Sequence, residues 1–204
     1  MLGGSGEVNG AEYLIAQVGS GAKRRAALSL LLDPIEIPGG DWEVYSKKTW
    51  RAGFFKTGDT NRRSRRTGSF NAIRTYKDKR PDATEAILIE IRQYGSEVDA
   101  LVELPTTRLN LRPSPNNPGA TVTEATLIEV PDVSESISAF CIEQCTSVGD
   151  RLNTHRCVVD SVGQVVFLTD FVALGEGHAW DDVLELSRLQ GARIRTKLGV
   201  STSE

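Results

Sequence analysis

Two β-rich runs, Arg156–Val162 and Val165–Leu174, meet at Ser161-Val162-Gly163-Gln164, and this junction constrains the fold more than any other feature of the chain. A connection that short, with glycine in it, joins strands that pair antiparallel. A helical period follows. Trp180, Val183, Leu184, Leu186, Leu189 and Ile194 recur at the spacing that gathers apolar side chains on one face. Asp181 and Asp182 lie near the start of this helix, and Arg193, Arg195 and Lys197 near its end, which complements the helix dipole. Gly199 is placed to close it.

The rest of the chain reads in the same terms. A helix is expected over 22–32, ended by Asp33-Pro34, because the residue before proline is pushed out of the α region. Residues 42–50 alternate and read as a half-buried strand, with Trp42, Val44 and Trp50 expected on one face. Further strands are expected over 68–76 and 85–94, the latter carrying Ile87, Ile89 and Ile91 on one side. Ser96 is a natural N-cap for the next helix, with Asp99 three residues on. Asn110 to Gly119 holds three prolines and two asparagines, a strong loop signal that fits either a domain boundary or a midpoint connector. Strands then follow over 121–130 and 137–142.

Together these give an α+β fold: an antiparallel sheet flanked by helices, with a long C-terminal helix. The expected organisation is a flexible Gly-rich segment over 1–21, a single domain over 22–199 and a polar tail over 200–204. Element order is similar over 41–109 and 120–198, without a sequence repeat.

A chain of 204 residues buries roughly 70% of its unfolded surface and needs no staple to fold. No run approaches the roughly 20 apolar residues of a membrane span. Lys23-Arg24-Arg25 followed by Ala26-Ala27-Leu28 resembles a signal peptide, but the apolar part stops at Asp33-Pro34 without a small-residue cleavage site, so it reads as a helix. The expected location is cytoplasmic. Three cysteines, Cys141, Cys145 and Cys157, argue by their odd number against a disulfide framework, and leave one bridge plus one thiol as an alternative.

Charge is uneven. Between Lys47 and Arg80 stand twelve basic residues against Asp59 and Asp78, in a chain whose net charge is −3, so the remainder is strongly acidic. The island centres on Arg62, Arg63, Arg65 and Arg66 around Ser64, bounded by Gly58 and Gly68, and reads as an exposed loop. Arginine forks suit phosphate and carboxylate, so these four are the candidate anion-binding residues, with nucleic acid among the partners. The alternative is a solvated loop paired with the acidic remainder of its own surface. No aromatic residue interleaves the arginines, which does not indicate a single-strand stacking platform.

No phosphate loop, nucleophile elbow or zinc-protease helix is present, and no catalytic residue, metal or cofactor is assigned. Trp42 and Trp50 are candidate ligand-binding residues, with core packing as the alternative. His155 and Cys157, two apart on a strand, point to one face, and with Cys141 and Cys145 they make the best constellation for a thiolate or a zinc ion. A second constellation, Gly175-Glu176-Gly177-His178-Ala179-Trp180-Asp181-Asp182, gathers carboxylates and a histidine at a helix start, where capping is the alternative.

From Arg156-Cys157-Val158-Val159-Asp160 through Gln164–Leu168 to the helix Asp182–Lys197, the second half resembles the extracellular sensor domain of PknH-type bacterial serine/threonine kinases and related Mog1/PsbP-like lipoproteins. The strand Glu85–Ile91 followed by Ser96–Ala100 is similar to the strand-then-helix step of those domains. The resemblance covers about half the chain, by pattern rather than motif. It departs in the odd cysteine count, the missing secretion signal and the added basic island. It implies a non-catalytic binding or sensing module for a small molecule or a protein. The other function to weigh is anion or nucleic-acid binding through the arginine loop.

Overall fold

The computed structural model describes residues 21–51, 70–80, 83, 85–109, 121–128, 140–148, 151–175 and 177–200. A helix, α1, covers 21–29, and a 3₁₀ turn follows at Pro34–Glu36. The strands are β1 Trp42–Arg51, β2 Phe70–Asp78, β3 Ala86–Gln93, β4 Thr121–Ile128, β5 Phe140–Val148, β6 Arg151–Val162 and β7 Val165–Leu174. Helix α2 spans Glu97–Leu109 and α3 spans Trp180–Leu198. The strands form one antiparallel sheet in the order β1-β2-β3-β7-β6-β5-β4. The two stretches of similar element order therefore share a single sheet, joined where β3 pairs with β7.

Helices α1 and α3 cover one face. Its core is built from Ala72 and Tyr76 of β2, Ile87, Ile89 and Ile91 of β3, Phe167 and Phe171 of β7, and Val183, Leu186 and Ile194 of α3. The isoleucines alternate with half-buried residues along β3, the period-two pattern a strand requires. Gly191 lets α3 approach the sheet closely, since a Cβ there would stand 3.4 Å from the Phe167 ring. Gly199 closes α3 at φ 67°, in the left-handed region expected of a helix-ending glycine.

Polar ties dock α1. Gln190 of α3, fully buried, donates to Leu30 O at 2.7 Å and accepts from Leu32 N at 3.2 Å. Arg74 and Tyr76 both donate to Leu32 O, at 2.5 and 2.6 Å. Burial pushes the Tyr76 phenol up to about 12.

The other face is covered by α2 over β6 and β7. Ala100 and Leu104 pack with Tyr94, Cys157, Val159, Val166 and Leu168. Ser96 caps this helix as expected, its hydroxyl accepting from Asp99 N at 3.2 Å while donating to the Asp99 carboxylate at 2.9 Å.

Three expectations are corrected. A bulge between Val44 and Ser46 shifts the pairing of β1 by one residue. Trp42 pairs with Asp78 and Trp50 with Asn71, an odd separation along β2, so the register puts positions 42 and 50 on opposite faces. Strand β5 runs to Val148 and β6 starts at Arg151, beyond the apolar cores expected for them. The backbone ladder continues through pairs such as Thr146↔Asn153, because main-chain pairing does not require an apolar sequence. The start of the 85–94 strand shifts to Ala86, after which it pairs in register on both sides.

Candidate functional site

The α2 face carries ion pairs on the strands themselves, among them Glu90 with Arg92 on β3, at 2.5 Å, and His155 of β6 with Asp170 of β7, at 3.0 Å. Alternation puts His155 and Cys157 on this face, as expected. Asp170 lies directly opposite Cys157 and diagonally from His155, close enough to engage both. Its Oδ2 accepts from His155 Nδ1, and it is hydrogen-bonded to the Cys157 thiol. Among the described residues its Oδ1 is buried with no hydrogen-bond partner. Asp170 is only 9% exposed.

Electrostatics follow from this geometry. Burial pulls the His155 imidazole down, but the hydrogen bond and charge of Asp170 outweigh it, so its pKa is raised. Cys157 is pushed well above the usual thiol range, first by burial and then by the charge of Asp170. A thiol held protonated in this way is a poor nucleophile.

The four-ligand arrangement of Cys141, Cys145, His155 and Cys157 is not assembled. Cys141 belongs to the α1/α3 core, opposite Val158, and Cys145 Sγ lies 3.7 Å from Thr154 Oγ1 on that same face, whereas Cys157 packs beneath α2. Among the described residues no group of three His, Cys, Asp or Glu side chains is placed to hold a metal ion. All three thiols are free. Asp170 is the residue that sequence reasoning missed. Its signal is an acid in the middle of the apolar run Val165–Leu174, on the parity of His155 and Cys157.

The second constellation is organised by Arg156. Its guanidinium bonds Glu143 at 2.7 Å, donates to the His178 carbonyl and lies 5.5 Å from the Trp180 ring centroid. His178 packs on Phe171 at 4.4 Å between centroids. Its Nε2 lies 3.3 Å from Glu85 Oε1, an ion-pair distance without hydrogen-bond geometry. Ala179 occupies the N-cap with no side-chain cap, and Trp180 packs against the core. This corner ties β5 and β6 to the start of α3. Glu176 lies outside the described residues.

Trp42 is a core residue, 5% exposed, donating from Nε1 to Pro38 O at 3.2 Å and meeting Phe171 edge-on. Arg62, Arg63, Arg65 and Arg66 lie outside the described residues. Of the basic island, Arg74, Lys77, Lys79 and Arg80 are placed, each paired with a carboxylate: Asp33, Glu43, Asp41 and Asp78 respectively. Lys47 and Lys48 are exposed and among the described residues form no ion pair. No described helix is long and apolar enough to cross a membrane.

No family model and no curated protein matches the chain. Among solved structures, it is similar to the extracellular domain of PknH from Mycobacterium tuberculosis, at 7% identity and a TM-score of 0.56, over 85% of this chain and 96% of that one. At that identity the likeness is one of fold, and the α+β architecture read from the sequence is the part of the resemblance it bears out.

Proposed function

We propose that the chain is a non-catalytic binding module that takes a ligand on the α2 face, at Asp170. The observation that carries this is the buried Asp170 Oδ1, a carboxylate oxygen without a donor among the described residues, on the group that also pairs with His155. Buried polar atoms are nearly always paired, and an orphan calls for a partner. The ligand chemistry that fits is an N–H or O–H donor, small or presented by a protein. The raised thiol of Cys157 favours binding over nucleophilic catalysis. Native mass spectrometry of gently purified protein, wild type beside Asp170→Asn, tests the reading. A retained mass lost in the variant, with unchanged circular dichroism, supports it. A ligand retained equally by both proteins places binding elsewhere. Three free thiols, two of them buried in separate cores, support a reducing, cytoplasmic compartment.

A second reading, anion binding through Arg62, Arg63, Arg65 and Arg66, is favoured by Lys47 and Lys48. Their charges are exposed and, among the described residues, form no ion pair.

A further inference from the structure

We propose that the outward side of α2 is a docking surface for a basic amphipathic helix of another protein. Val98, Leu101 and Val102 are its anchors, and acidic residues on both flanks set the charge of the partner. This surface lies on the solvent side of the helix, whereas Asp170 lies on the sheet itself, so docking here stands independently of a ligand there.

A helix laid on a sheet turns its apolar residues inward and its polar ones to water. Helix α2 does this only in part. Over 97–104, where its side chains are described, Ala100 and Leu104 are the buried residues. Two valines and a leucine face solvent: Val98 is 69% exposed, Val102 61% and Leu101 46%. The outward side of this stretch therefore carries more apolar bulk than the side that packs on the sheet. With a turn every 3.6 residues, positions 98, 101 and 102 fall within about 100° of one another, in a single stripe. Helix propensity does not call for them, since β-branched valine forms helix less readily than the straight-chain residues. Singly exposed apolar residues are ordinary. Three at i, i+3 and i+4 match the anchor spacing of an amphipathic helix that docks by its apolar face.

Charge selects the occupant. The same helical geometry puts Glu97 on one flank of the stripe and Asp99 and Glu103 on the other. The sequence over 97–104 contains three acids and no basic residue. Glu97 and Asp99 stand in the first turn, where they also complement the helix dipole, but Glu103 lies beyond that turn and the dipole does not account for it. The complementary surface is an apolar seam with lysine or arginine on both sides. A second copy of the chain would set acid against acid whichever way two α2 helices lay. An anionic lipid surface attracts basic segments and repels these acids.

The test is fluorescence anisotropy of a labelled Leu/Lys peptide titrated with the full chain. The peptide has about 18 residues, long enough to form a basic amphipathic helix. A Leu/Glu peptide of the same pattern and vesicles of anionic phospholipid serve as parallel probes, and sedimentation velocity follows self-association. Wild type should bind the Leu/Lys peptide and not the Leu/Glu peptide, and amide exchange over 97–104 should slow in the complex. Val98→Gln/Val102→Gln should weaken binding by about tenfold or more, with circular dichroism unchanged. Glu97→Gln/Glu103→Gln should also weaken it and reduce its sensitivity to salt. Absent binding of the Leu/Lys peptide overturns the proposal. So does binding that is equal in wild type and the valine variant, or equal for the two peptides. Unfolding of the valine variant overturns it as well, because the valines are then packed rather than presented. Self-association of wild type that the valine variant abolishes gives the stripe to a second copy, and vesicle binding lost in that variant gives it to membranes; either result removes the basic-helix partner.

Discussion

His155 stabilises the folded chain in acid and loses that contribution in base. Its folded pKa is raised above the unfolded value of about 6.5. Folding thus favours the protonated imidazole, so the contribution is complete below the unfolded pKa and fades as pH climbs through the higher folded one. The urea midpoint lost in His155→Gln should be larger at about pH 5.5 than at about pH 9. A difference independent of pH would show that the Asp170 contact is not charge-assisted. The thiols divide by burial. Cys141, raised to about 11, and Cys157, higher still by burial and Asp170, should resist alkylation until the protein unfolds, while half-buried Cys145 reacts first. Peptide mass mapping after timed iodoacetamide treatment checks the order. At this scale the sequence disclosed that His155 and Cys157 share a face. It did not disclose Asp170 between them, because which residue of β7 lies opposite Cys157 depends on cross-strand register.

At the scale of elements, most strands and helices follow from local signals. The Ser96 cap, the turn at Gly163 and the closing glycine of α3 each act within a few residues, so they are legible from sequence. The bulge in β1 is not, because it depends on how β2 lies alongside. Nor is the docking of α1, which hangs on Gln190, about 160 residues away. Gln190→Leu should cost about 1–3 kcal/mol, because it strands a buried carbonyl and a buried amide, and chemical denaturation measures this. The turn into α3 is equally strict. Gly177 has φ 80°, and a Cβ there would fall 2.7 Å from Thr154 Cγ2. Gly177→Ala should therefore destabilise by more than about 1 kcal/mol, and an unchanged melting temperature would contradict this.

For the whole molecule, strand order is what sequence left open. Neighbouring runs announced the two meanders, but their junction at β3 and β7 links residues as distant as Ile89 and Thr169, with no local cue. Ile89 is fully buried at that junction, so Ile89→Ala should cost about 2–5 kcal/mol. Because the sheet is continuous, circular dichroism and tryptophan fluorescence should report one coincident transition. Two separated transitions would divide the sheet into independent units.

The β3–β7 junction also has a consequence for synthesis. Strands β1 to β3 leave the ribosome first, and β7, the partner of β3, emerges only when residues 165–174 do. Through that interval the nascent chain presents the backbone edge of an isoleucine-rich strand, the kind of surface on which unfinished chains associate. Premature termination before residue 165 should therefore yield a fragment prone to aggregate, and slow translation of the second half should lengthen the nascent chain's dependence on chaperones.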